Sequence, residues 1–331
     1  MKKFLALILS VAMIFALVAC GNKEGDTPNT DGDTQQTDTP AAPVDIVIAT
    51  GGTTGTYYAV GNALVTTIGD KLSLSKLTAV DSGASKANVQ LVTANQAQMS
   101  ILQSDVLSYA HSGTDLFTEA ETSSQWVAGL YNETVQIISA PGIKDVSELK
   151  GKTVCVGDVG SGTEVNARQV LEAYGMTTAD ITATNGSFGD AANDLKDGKI
   201  DAAFTVAGAP TTAIVDYATT NTLNLVSLSD EELAAIQEAY PFLIRDDLAA
   251  GTYTGQDADV TCVAIQATLV ASEELSEDVV YEFVKAMFDN KDALTEGHAK
   301  FGFLDPEAAS AGATVTMHPG AEKYYKEIGV L

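Results

Sequence analysis

The sequence predicts an α/β fold of two lobes. A strand followed by a glycine-rich turn and a helix occurs twice, about one hundred residues apart. Strand and helix patterns alternate in both places, which implies βαβ units with parallel pairing. A long apolar run, Val260 to Val270, is placed to carry the chain back between the two units.

Asp45 to Thr50 reads as a buried strand and runs into Gly51-Gly-Thr-Thr-Gly-Thr-Tyr-Tyr58. The helix after it shows Val60, Ala63, Leu64, Thr67 and Ile68 at helical spacing. A second helix is expected over Ser85–Ala94 and a strand over Met99–Leu102, ending at Gln103-Ser104-Asp105. The pattern returns with strand Lys152–Val156 and the turn Gly157-Asp-Val-Gly-Ser-Gly-Thr-Glu164. Its helix carries Ala167, Val170, Leu171 and Tyr174 on one face. Ser161 and Glu164 have the spacing of a capping box. A helix near Asp190–Asp197 leads to strand Ile200–Phe204. Val279, Val280, Phe283, Val284 and Met287 mark a late helix, and Pro319 suits the first position of the last one.

The N-terminus differs from this globule. Lys2 and Lys3 precede an apolar stretch from Phe4 to Val18, too short for a span of about 20 residues. It ends Leu17-Val-Ala-Cys20, which resembles the bacterial lipobox; Cys20 would then be lipidated. Residues 1–20 are therefore expected to be a lipoprotein signal peptide. Residues 21–43 hold no large apolar side chain and read as a disordered acidic tether.

Of 331 residues, 45% are hydrophobic and 19% charged, a globular balance. Acidic residues number 44 against 18 Lys and Arg, a net charge of -26. Without Lys2 and Lys3 the balance is 16 against 44, or -28. Nucleic acid and anionic lipid surfaces call for a basic footprint, so both are excluded as partners. Contact with the membrane is expected through the lipid anchor only. Three Cys allow neither a disulfide scaffold nor a four-thiolate zinc site. Cys155 and Cys262 stand in apolar runs and read as core residues. His111, His298 and His318 are scattered, and no metal or cofactor is expected.

In open α/β sheets a ligand sits beyond the C-terminal strand ends, where both glycine-rich turns lie. Each opens a helix whose free N–H groups and positive dipole end suit an anion. A Gly-Thr turn is often only a tight turn with a cap; two in equivalent positions point to a cleft that holds a small acid. Of Tyr57 and Tyr58, one is expected in the cleft and one in packing. Arg168 either reaches the cleft or pairs with Glu164 on the helix surface, and the surface pair is preferred. The P-loop, the nucleophile elbow and the dinucleotide-binding glycine pattern are all missing. Asp105, Glu133 and Glu164 have no partner motif for catalysis, so no enzyme is expected.

Three stretches together resemble the TAXI family, extracytoplasmic solute receptors of one class of TRAP (tripartite ATP-independent periplasmic) transporters. They are Gly51 to Tyr58, Val156 to Gly175, and His318 to Gly329, within a likeness running from Val44 to Leu331. The resemblance implies a two-lobed, periplasmic-binding-protein-like (type II) fold with a hinge and an interlobe cleft. Residues 44–136 and 262–331 would form lobe one, and residues 137–261 lobe two. It further implies a monomer that passes a small acid, glutamate or a related dicarboxylate, to TRAP permease subunits at the cell membrane. The ligand-binding residues carried over are Thr53, Thr54, Gly55, Thr56, Tyr57 and Tyr58, then Ser85 with Asn88. Gln103 to Asp105, Tyr131 and Glu133 follow. Lobe two supplies Ser161, Gly162 and Thr163, then Gly208 and Ala209. Glu133 and Asp105 are the candidates to meet an ammonium group. Ala59 stands where family members often have Pro. The same domain could instead present its closed form to a signalling partner.

Overall fold

The glycine-rich turns sit where strands hand over to helices, and the rest of the fold is built around those two points. The computed structural model describes residues 42–331. The expected signal peptide with Cys20, and all but the end of the tether, lie outside the described residues.

Strand β1 is Val44–Ala49, followed by helix α1, Thr56–Ile68. Strand β2, Ser75–Val80, helix α2, Ser85–Thr93, strand β3, Met99–Gln103, and helix α3, Ser104–Ser112, complete the first unit. Strand β4, Ser124–Ser139, leads to β5, Thr153–Cys155, and α4, Gly162–Ala173. Strand β6, Thr182–Thr184, α5, Phe188–Lys196, and β7, Ala202–Ala207, follow. Helices α6, Thr212–Thr220, and α7, Asp230–Ala239, precede β8, Ile244–Arg245, and β9, Val263–Ser272. The chain ends in α8, Glu277–Asp289, α9, Lys291–Gly297, α10, Pro306–Ala311, and α11, Pro319–Glu327.

The strands form one ladder in the order β2-β1-β3-β9-β4-β7-β5-β6, with β8 on β9. Pairing is parallel within β2-β1-β3 and within β6-β5-β7. It is antiparallel wherever β4 or β9 takes part. The expected parallel sheets are thus the two ends of a mixed sheet. Short crossover helices build the parallel ends, while the two long central strands return the chain.

Each end has its own core. Ile46, Ile48 and Ile101 pack with Leu64 of α1, Phe283 of α8 and Tyr325 of α11. Val154 and Phe204 pack with Val170 of α4 and Ile236 of α7. Strand β4 gives Leu130 and Tyr131 to the first core, then Val135 and Ile137 to the second. Strand β9 gives Val263 and Ile265 to the second, then Ala267 and Leu269 to the first. Two lobes joined by two crossing strands follow from that split.

The helix faces match their apolar spacing. Val60, Ala63, Leu64 and Ile68 are buried on α1, with Thr67 half-buried. All five apolar positions of α8 are buried. Pro319 opens α11 behind His318, which accepts from the Gly320 N–H. Cys155 and Cys262 are buried free thiols in one apolar cluster. Burial pushes the Cys262 thiol up to about 12, as expected for a core residue.

Three expectations need correction. The Ser161 hydroxyl does accept from the Glu164 N–H, at 3.2 Å. The reciprocal bond of a capping box is absent, because the Glu164 carboxylate takes the Gly160 N–H at 2.7 Å. Arg168 does not pair with Glu164; it meets Asp115 at 2.5 Å and Glu172 at 3.6 Å. Glu164 is held on the turn side, leaving Glu172 one turn onward as the i,i+4 partner. Helix α5 starts two residues earlier than expected, because Ser187 caps it by accepting from the Asp190 N–H.

Candidate functional site

The turns after β1 and β5 face one another across a cavity of about 40 Å³. That is room for on the order of three waters, so the cleft is shut around a small volume. Gly51, Gly52, Thr54, Gly55, Thr56 and Tyr57 line it from the first turn. Ala84 and Ser85 contribute the start of α2, Gln103 the end of β3, and Glu133 the middle of β4. Asp158, Ser161, Gly162 and Thr163 line it from the second turn, with Ser187 and Phe188 at the start of α5 and Val206 and Ala207 on β7.

Four helix starts converge here. Those of α1 and α2, capped by Gly55 and Ala84, have no side-chain cap. Those of α4 and α5 carry serine caps. Among the described residues the backbone N–H groups of Tyr57, Gly162 and Thr163 make no hydrogen bond. Free first-turn donors and four positive dipole ends favour a negative group between them. Among the described residues, no Lys, Arg or His lines the cavity. Ser161→Ala is expected to cost about 1 kcal/mol, read as a lower unfolding midpoint of the ligand-free protein.

Glu133 is 2% exposed and accepts from the Tyr57 hydroxyl at 2.6 Å. Burial is the main cause that lifts its carboxyl to about 8. The Tyr57 bond, Gln103 and Lys300 pull down, and nearby Asp105 pushes up. Glu133 is therefore mostly protonated at neutral pH. Asp158 is also raised, by burial first and then by Asp190.

The two lobes touch directly. The Thr56 hydroxyl donates to the Gly208 carbonyl at 2.9 Å, and the Lys86 N–H donates to the Gly160 carbonyl at 3.3 Å. Gly162 lies so close to Gln103 that a Cβ there would fall 1.9 Å from Gln103 Oε1. That Oε1 is buried without a hydrogen-bond partner.

Ten of the expected ligand residues thus line one cavity: Thr54, Gly55, Thr56, Tyr57, Ser85, Gln103, Glu133, Ser161, Gly162 and Thr163. The others lie off it. Thr53 is exposed and Tyr58 half-buried, so Tyr57 is the tyrosine of the cleft. Asn88 donates to the Thr50 and Ile101 carbonyls at 2.6 and 2.7 Å, tying the ends of β1 and β3 together. Asp105 accepts from the Val106 N–H at 2.8 Å and from Asn166 of α4 at 3.2 Å, so it bridges the lobes. Tyr131 stands against Gly208, behind Thr56, and its hydroxyl is buried without a partner. Gly208 offers its carbonyl to Thr56, and Ala209 is half-buried outside the lining. Asp158, Ser187, Phe188 and Val206 line the cavity without having been expected there. The Ser187 to Asp190 spacing is the signal that locates the α5 start.

A family model described as the NMT1-like family matches residues 48–329. The chain belongs to this family. Among solved structures, an ancestral arginine-binding protein bound to arginine is similar at 14% identity, over 78% of this chain and 99% of that one, with a TM-score of 0.50. A putative L-cystine ABC transporter from Listeria monocytogenes is 15% identical, over 78% and 95%, with a TM-score of 0.49. The alkanesulfonate-binding protein SsuA from Xanthomonas axonopodis pv. citri bound to MOPS is 12% identical, over 86% and 84%, at 0.47. The likeness is one of fold: this NMT1-like protein has the two-lobed architecture of solute-binding proteins. No helix among the described residues is long and apolar enough to cross a membrane. No group of three or more His, Cys, Asp or Glu among them is placed to hold a metal.

Proposed function

We propose that this NMT1-like protein is an extracytoplasmic solute-binding lipoprotein of the TAXI type. It captures a small acidic metabolite, glutamate or a related dicarboxylate, and delivers it to a TRAP-type membrane permease. The observation that carries this reading is the convergence of four helix starts, with three unbonded N–H groups, on one cavity between the lobes. An anion there receives directional donors without a cationic side chain. The resemblance of Gly51–Tyr58, Val156–Gly175 and His318–Gly329 supports the TAXI assignment, and Leu17 to Cys20 supports the anchor. Residues 44–136 with 262–331 move against 137–261, bending where β4 and β9 cross from one core to the other. Closure follows from contacts the ligand makes only when both turns reach it.

The test is thermal unfolding of ligand-stripped protein against amino acids and dicarboxylates. An acid at 100 times its Kd stabilises the fold by about 2.7 kcal/mol. At roughly 2–4 °C per kcal/mol, the midpoint rises by about 5–10 °C. The rise is expected to disappear in Thr54 and Ser161 variants. A folded protein that no acid stabilises would refute the acid-binding reading.

A further inference from the structure

The lining of the cleft is acidic on its side chains although its backbone favours an anion. Among the described residues, two carboxyl groups reach it from different lobes, Glu133 on β4 and Asp158 after β5, and no cationic side chain does. A ligand bearing only carboxylates would satisfy the helix starts and meet two acids at its other end. A ligand with one carboxylate and one ammonium would satisfy both. Resting on the reading of this cleft as an acid-binding site, we propose that the cargo is an amino acid whose ammonium group is received by Glu133, which gives its proton to solvent as the ligand binds. The balance is simple: a neutral carboxyl becomes a carboxylate paired with the ammonium, and one proton leaves.

The surroundings of Glu133 fit this exchange. Tyr57 of α1 donates to it at 2.6 Å, a bond that also serves the carboxylate. Gln103 of β3 and Lys300, from the turn after α9, favour the ionised form. Asp105 at the start of α3 opposes it, and Tyr131 of β4 stands beside it as a neutral phenol. Without a ligand cation, burial keeps the group protonated at neutral pH. A desolvated ammonium supplies the missing charge, as an opposite charge within a few ångström favours ionisation. Asp105, the other candidate for this role, is occupied by Val106 and Asn166 and does not line the cleft.

Matched pairs test the inference: L-glutamate with 2-oxoglutarate, L-alanine with pyruvate, and L-leucine with 4-methyl-2-oxopentanoate. Each pair differs only in amine against ketone. Thermal unfolding of the ligand-stripped protein identifies the binder, and calorimetry in two buffers of different ionisation enthalpy counts protons at pH 7. The expected result is stabilisation by an amino acid at least tenfold more potent than its oxo acid, with release of close to one proton. Its affinity should rise close to tenfold between pH 6 and pH 7. Glu133→Gln should abolish the proton release and the pH slope; the proton count on the unaltered protein decides the matter even if the variant does not fold. Equal or better binding of the oxo acids, or no proton released, overturns this inference and leaves the acid-binding site standing. If neither class stabilises the protein, both readings fall.

Discussion

Replacing Gly162 by alanine is expected to weaken ligand binding by about 5- to 150-fold while sparing the fold. The new Cβ would lie 1.9 Å from Gln103 Oε1 and 2.2 Å from Gln103 Cδ. Gln103 is buried at the end of β3 and itself lines the cavity, so it yields into the space a ligand would take. Forcing a methyl group into such a contact costs about 1–3 kcal/mol. Gly162 and Gln103 belong to opposite lobes, so the clash exists only when the cleft is shut. The cost therefore falls on closure, and closure is where binding energy is realised; 1–3 kcal/mol converts to the quoted loss of affinity. Calorimetric titration gives the affinity, and unfolding without ligand gives the stability. An unchanged affinity would contradict the cross-lobe contact.

Stability of the ligand-free protein is expected to fall as the pH rises from about 4.5 to 8. Burial raises Glu133 from 4.5 to about 8 and Asp105 from 3.8 to about 6. The folded state keeps protons that the unfolded state has released across these ranges. Stability is then fully present below the unfolded values and is lost as pH climbs through the folded ones. For Glu133 alone the loss is on the order of 5 kcal/mol by pH 8, and for Asp105 on the order of 3 kcal/mol by pH 6. The two groups repel one another, so their effects do not add independently. Unfolding midpoints of the unaltered protein and of Glu133→Gln should diverge steadily from pH 5 to pH 8, with the variant the more stable at pH 8. Parallel curves would show that Glu133 titrates as an ordinary carboxylate.

Much of this fold is legible in the residues. Helical spacing located α1, α4 and α8, and the glycine-rich turns located the cleft. What escaped did so for physical reasons. Strand β4 is buried along nearly all its length, so it shows no alternation, and Asn132, Glu133 and Gln136 interrupt its apolar run. Strand β6 is Thr-Ala-Thr, with no apolar signal at all. The partner of Arg168 is Asp115, a contact over 53 residues that helix spacing cannot reveal. A polar residue at a strand end serves a ligand or the scaffold equally well in sequence. Asn88 turned out to satisfy strand carbonyls and Glu133 to line the cavity, and only the packing separates the two.

The most direct measurement is a crystal structure of the protein with the acid that stabilises it most. The predicted result is a ligand carboxylate between the lobes, within about 3.2 Å of the N–H groups of Tyr57, Gly162 or Thr163. A ligand bound outside this cleft, or one whose carboxylate turns toward Glu133 and Asp158 and away from the helix starts, would contradict the account.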